Sequence, residues 1–214
     1  MQEQKIKKMI SLLSKGQGKT MLGSIGEKKN AFKVLISTVL SARTKDSTTI
    51  PIAQKLFRKY KNPEDFLKAP LKQLEKEIYG IGFYRVKASR LKQLCKILIE
   101  KYHGIVPQTM EQLLELPGVG RKTANCVLVY AFRKPAIPVD VHVHRISNRL
   151  GLVKTEKPEE TEMRLMEIVP RKYWIDVNEL LVRHGQTICL PQSPFCSRCP
   201  VFDLCDRNGV TRSR

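Results

Sequence analysis

The sequence predicts an all-α protein. Apolar residues recur at helical spacing through nearly all of its 214 residues, no stretch alternates in the manner of a half-buried strand, and N-cap signals stand before several of the periodic segments. A chain of this length can bury one large core or two small ones, and 42% hydrophobic content fits a globular protein.

Taken in order, residues Gln2 to Leu13 are amphipathic, and Gly16, Gly18, Gly23 and Gly26 then read as a loop. A mostly apolar helix follows from Ala31 to Ser41. A second helix, Asp46 to Tyr60, tolerates Pro51 only near its start, because proline lacks the N–H that a helix interior needs. Asn62-Pro63-Glu64-Asp65 supplies an N-cap, a proline at the first helical position and acids in the first turn. Tyr79-Gly80-Ile81-Gly82-Phe83-Tyr84 is a Gly-apolar-Gly element before a helix whose Ala88, Leu91, Leu94, Cys95 and Leu98 share one face, which makes Cys95 a core residue. Thr109 and Gln112 have capping-box spacing.

Leu116-Pro117-Gly118-Val119-Gly120-Arg121-Lys122-Thr123-Ala124-Asn125 repeats the Gly-apolar-Gly pattern and feeds a helix that runs to Phe132. Amides around Gly118 and Gly120 are suited to a phosphate, since glycine permits close approach and a helix N-terminus favours anions. Lys122 falls in the first turn, where the helix dipole disfavours a cation. Its amine is therefore expected to shed a proton readily, which suits a nucleophile. Pro135 and Pro138 end the helix, and Ala136 to Asp140 is an extended crossing. Asp140 then caps a helix from His142 to Leu150. Pro158 opens another helix, and a last one covers Lys172 to Gly185.

Thirty-nine Lys and Arg against twenty Asp and Glu give a net charge of +19, which favours a polyanionic partner, nucleic acid first. Charge alone does not separate DNA from RNA or from an anionic membrane. The N-terminus lacks a signal-peptide core and no apolar run approaches about 18 residues, so a soluble, intracellular protein is expected. Cys189, Cys196, Cys199 and Cys205 are spaced C-x6-C-x2-C-x5-C. In a reducing compartment such a group points to metal. The spacing favours an iron-sulfur cubane over zinc, which more often uses paired short knuckles.

The hairpin at 116–125, the segment Pro138-Val139-Asp140-Val141-His142-Val143-His144-Arg145 and the four-cysteine loop together resemble the endonuclease III family of helix-hairpin-helix DNA glycosylases. Similarity extends to Leu40-Ser41-Ala42-Arg43-Thr44-Lys45-Asp46 and Gly82-Phe83-Tyr84, so it spans nearly the whole chain. The resemblance implies a two-domain fold: a six-helix barrel domain with the helix-hairpin-helix at 24–134, and a domain built from 1–23 and 135–214 around a [4Fe-4S] cluster on the four cysteines. Duplex DNA with damaged or abasic nucleotides would bind in the cleft between them.

It further implies a monomer located in the cytoplasm or nucleoid. Lys122 matches the family's catalytic lysine and Asp140 its catalytic aspartate. Gly118, Val119, Gly120, Arg121, Thr123, Arg43, Phe83 and His142 fall among DNA contacts. The implied reaction removes oxidised pyrimidines and cleaves the resulting abasic site. Two alternatives are a mismatch-specific glycosylase of the same fold and a non-enzymatic iron-sulfur DNA-binding protein. The sequence departs from the family pattern at Arg43, where bacterial members carry Gln. It departs again between the first two cysteines, where Leu190 to Phe195 has no basic residue; Arg198, Arg207, Arg212 or Arg214 could substitute.

Overall fold

The computed structural model describes residues 2–16, 18–26 and 30–214. Met1, where the reading of the N-terminus begins, and positions 17 and 27–29 lie outside the described residues. Every regular element among the described residues is a helix, as the periodicity predicts. None is long and apolar enough to cross a membrane. The chain divides into two compact units, residues 21–133 and residues 1–20 with 134–214.

In chain order the helices are α1 (Gln2–Ser14), α2 (Met21–Gly26), α3 (Ala31–Ser41), α4 (Asp46–Lys59), α5 (Pro63–Lys68), α6 (Leu71–Glu77), α7 (Tyr84–Tyr102), α8 (Met110–Leu114), α9 (Arg121–Phe132), α10 (Val141–Arg149), α11 (Pro158–Ile168) and α12 (Trp174–Thr187).

In the 21–133 unit, α3 is buried on nearly every side because Phe32, Val34, Leu35, Ile36, Val39 and Leu40 leave it almost no polar face. Asn30 starts it by accepting from the Lys33 N–H at 2.9 Å. Helices α2, α4, α7 and α9 pack around it. Phe66 of α5 meets Phe32 edge-on with ring centroids 5.5 Å apart. Each fully buried Leu, Ile or Phe here contributes about 1.5–3 kcal/mol by leaving water. Asn62 and Thr109 cap α5 and α8 as their spacing predicts.

Three elements differ from the sequence reading. The glycine-punctuated loop contains α2, because Met21 and Leu22 are buried and Gly26 lies against the Tyr130 carbonyl, where a Cβ would come within 2.6 Å. Pro51 sits in the second turn of α4 rather than at its start, so the Ser47 carbonyl forgoes its helical donor. Helix α10 begins at Val141, one residue before the predicted start.

In the other unit, Ile6, Met9, Ile10 and Leu13 form the apolar stripe of α1 and pack with Val143, Ile146 and Leu150, Leu165 of α11, and Val177, Leu180 and Leu181 of α12. Lys5 fastens α1 to the far end of the chain by donating to the Leu150 carbonyl at 2.6 Å and to Asp206 Oδ1 at 3.0 Å. Gly185 lets α12 lie close on α10: a Cβ there would come within 2.6 Å of His142 Nδ1 and 3.0 Å of the Ile146 side chain.

Candidate active site and cysteine loop

The hairpin before α9 needs only one of its two glycines for its own sake. Gly118 has φ +83, in the left-handed region that suits glycine, and a Cβ there would press on Arg90 Cδ at 3.3 Å. Gly120, the N-cap, has an ordinary φ of −97, and a Cβ built on it meets nothing within 4 Å. The turn closes through the Val119 N–H to the Leu116 carbonyl at 3.0 Å, and α9 starts with Ala124 N–H to Gly120 at 2.9 Å. Gly120 offers no side chain to cap the first turn, which carries exposed Arg121, half-buried Lys122 and buried Thr123. A hollow beside the hairpin is lined by Pro117 to Gly120 with Arg90 and Gln93 of α7. Those two side chains escaped the sequence reading. Their only signal was a place one turn apart, off the apolar stripe of α7.

Arg43 and Phe83 come together although 40 positions separate them in sequence. Arg43 lies in the turn after α3 and Phe83 is the N-cap of α7. Both adopt left-handed backbone, with φ of 54 and 58. The Arg43 guanidinium stands 5.9 Å from the Phe83 ring centroid. Phe83 is 64% exposed, so it is no core plug. Beneath them Lys87, missed by sequence reasoning and only 6% exposed, donates from Nζ to the carbonyls of Leu40 (2.8 Å) and Ala42 (2.6 Å) and to Thr44 Oγ1 (3.3 Å). Burial pushes its ammonium down to about 8.

Asp140 is the N-cap of α10, and its Oδ1 accepts from the N–H groups of His142 and Val143, both at 2.9 Å. His142 is half-buried, and Arg145 donates to its Nδ1 at 3.2 Å. Further along α10, Arg145 Nη2 also donates to the carbonyls of Cys189 (2.8 Å) and Gly185 (3.3 Å). Arg149 is buried; it donates to Leu190 O and Pro191 O, both at 2.7 Å, and to Cys189 Sγ at 3.4 Å.

Cys189, Cys196, Cys199 and Cys205 all line one cavity, whose wall is otherwise mostly apolar: Ile146, Leu150, Ile188, Phe195 and Val201 among others. Burial pushes the Cys199 thiol up to about 11 and raises that of Cys205. His184 Nε2 lies 3.6 Å from Cys199 Sγ, and burial, aided by the Arg183 and Arg145 charges, pushes this imidazole down to about 4. Among the described residues no group of three or more His, Cys, Asp or Glu side chains is arranged to hold a metal ion. Phe195, between the first two cysteines, lies under two guanidiniums, Arg198 at 4.3 Å and Arg214 at 4.0 Å.

Residues 36–171 match the model of the HhH-GPD superfamily base excision DNA repair proteins. Endonuclease III of Thermotoga maritima is 51% identical over 175 residues, 82% of this chain and 82% of that protein. The chain belongs to the endonuclease III family. A solved endonuclease III, trapped as a covalent intermediate with DNA and an estranged adenine, is 44% identical with a TM-score of 0.79, covering 83% of this chain and 84% of that one. A thermostable thymine-DNA glycosylase superposes with a TM-score of 0.83 at 28% identity, over 96% of this chain and 95% of its own.

Proposed function

We propose that this chain is a bifunctional DNA glycosylase and abasic-site lyase that removes oxidised pyrimidines from duplex DNA, with Lys122 as nucleophile and Asp140 as its electrostatic partner. One observation carries the assignment of the lysine. Lys122 stands in the first turn of a helix opened by a glycine whose bare backbone the fold itself does not require. A missing side chain with no internal reason points to an external one, the close approach of a phosphate backbone. The related endonuclease III trapped covalently on DNA supports an amine nucleophile.

The chemistry follows from an amine and a carboxylate. The nucleotide must first leave the stack, at a cost of about a few kcal/mol that a damaged pair lowers. The Lys122 lone pair bonds to C1′, the glycosidic C1′–N bond to the base breaks, and the base leaves with that electron pair and takes up a proton. The lysine nitrogen gives up a proton, and its lone pair then opens the sugar ring, O4′ leaving with the C1′–O4′ pair as a hydroxyl, to give an iminium. The iminium makes the C2′ proton acidic; its removal forms a C2′–C3′ double bond and expels the 3′ phosphate. The Asp140 carboxylate stabilises the cationic sugar as the base departs.

Arg90 and Gln93 join Gly118 to Thr123 as the surface that holds the backbone phosphates, and the net charge of +19 draws the duplex in. We read a barrel domain near 24–134 and a cluster domain from 1–23 with 135–214; the two compact units support the division, with the first boundary at 21 so that α2 stays whole. The four cysteines hold a [4Fe-4S] cluster. Their shared cavity and its apolar wall support this, together with the C-x6-C-x2-C-x5-C spacing. When bound, the cluster supplies structure rather than a reaction step.

The test is reductive trapping. Borohydride added during reaction with thymine-glycol or abasic duplex should leave a protein–DNA adduct at Lys122, and Lys122→Gln should abolish it while DNA binding persists. An adduct mapped to another lysine overturns the site. No adduct at all, with base loss intact, favours a glycosylase that works without an amine nucleophile.

A further inference from the structure

The turns that carry Arg43 and Phe83 pose a physical problem. Each places a non-glycine residue in left-handed backbone, a conformation that persists only when the surroundings over-determine it. Both side chains are exposed, so packing around them does not supply that constraint. It comes from below. The Lys87 backbone N–H donates to the Phe83 carbonyl at 3.0 Å, while its side chain binds the Leu40 and Ala42 carbonyls and Thr44 Oγ1. Thr44 Oγ1 also accepts from the Gly82 N–H at 3.1 Å, and a Cβ on Gly82 would reach the Arg43 carbonyl at 3.0 Å. One residue thus touches both turns, and the turns touch each other through backbone.

We infer that Lys87 is a positioning residue that joins the Arg43 turn to the Phe83 turn as one rigid two-residue wedge. The inference rests on the base-excision reading only in what the wedge does: it occupies the stack when a nucleotide is extruded. An ammonium has three protons and Lys87 has three acceptors, all of them on the Arg43 side, while its main chain belongs to the Phe83 side. Without it, α3 and α7 remain packed and Thr44 still accepts from the Gly82 N–H, but the Leu40 and Ala42 carbonyls lose the donor that ties the Arg43 turn to α7. The partner is therefore one that meets both side chains at once, the gap between two stacked base pairs.

The experiment compares Lys87→Met, which keeps the apolar stem, and Thr44→Val, a part-exposed change that removes the shared oxygen. Three quantities are measured at a temperature where circular dichroism shows both variants folded: single-turnover base removal from paired duplex, nicking of a preformed abasic site, and fluorescence of 2-aminopurine opposite a stable abasic analogue. Both variants should slow base removal by on the order of ten- to a hundredfold, as expected for a misplaced group. Nicking should fall much less, and the fluorescence rise on binding should shrink.

Equal losses in base removal and nicking, or an undiminished fluorescence rise, would overturn the inference and leave Lys87 a simple fastener of α3 to α7. If Lys87→Met does not fold, Thr44→Val decides alone. The fluorescence arm needs no chemistry, so it judges Lys87 even if the wild type removes no base, a result that would defeat only the base-excision reading.

Discussion

Replacing Asp140 by Asn and by Ala separates charge from capping. Its Oδ1 receives two backbone N–H groups at 2.9 Å, which makes it the N-cap of a nine-residue helix, and the same carboxylate is proposed to face a cationic sugar. Asn keeps an acceptor oxygen and caps as well as Asp, so Asp140→Asn should lose only the charge–dipole term, about 0.3–1 kcal/mol. Asp140→Ala should lose that and the cap, about 1 kcal/mol more. Removing a group that stabilises charge in a transition state costs on the order of 10²–10³ in rate, so both variants should be slow to a similar degree although only one is substantially destabilised. Stability is read from urea unfolding followed at Trp174, the only tryptophan, which lies in the same unit and donates to the Val169 carbonyl at 2.8 Å. Rate is read from single-turnover nicking. Near-full activity in Asp140→Asn, or stability losses equal in Asn and Ala, would refute the reasoning.

Iron analysis of anaerobically purified protein should give about four irons per chain. Cys199→Ser should lose them and lower the Trp174 transition first; stoichiometric zinc would reassign the loop. Binding to undamaged duplex should weaken steeply with salt, with a log-log slope of roughly −0.9 per phosphate neutralised, and a flat response would remove the electrostatic argument. Gly185→Ala must push α12 off His142 and Ile146, with an expected cost of about 1–3 kcal/mol in urea unfolding; an unchanged midpoint would mean the helices part freely.

Lys87 titrates near 8 in the folded chain against an ordinary 10.5, so between those values the unfolded chain keeps a proton that the folded chain has released. Wild-type stability relative to Lys87→Met should therefore rise through that window, by at most about 3 kcal/mol. A constant difference would show that its three acceptors keep the ammonium charged.

Motifs local in sequence were legible. The Gly-Val-Gly turn, the caps at Asn62, Thr109 and Asp140, and the α1 stripe of Ile6, Met9, Ile10 and Leu13 each declare themselves within about ten residues. Helix α2 did not, because Gly23 and Gly26 lower its propensity and the reason for a glycine at 26 is the close approach of the Tyr130 carbonyl, more than a hundred positions away. Lys87 was invisible for a related reason. A lysine on a helix reads as solvated, and two of its three acceptors are backbone carbonyls 45 and 47 residues earlier, groups every residue possesses. Arg145 stands out in the sequence only as the end of the family-like segment from Pro138, and Arg149 not at all, although both hold carbonyls of the cysteine loop.

Those two arginines give α10 a mechanical character. A carboxylate sits at one end of a rod about 13 Å long, and guanidiniums one turn apart along it grip Gly185, Cys189, Leu190 and Pro191. A short helix moves largely as one body, so a shift of the gripped carbonyls is carried toward its N-cap. Changes that move the Cys189–Pro191 backbone, whose carbonyls these two arginines hold, should therefore register as catalytic defects, with the cysteine loop acting as the mounting of the carboxylate.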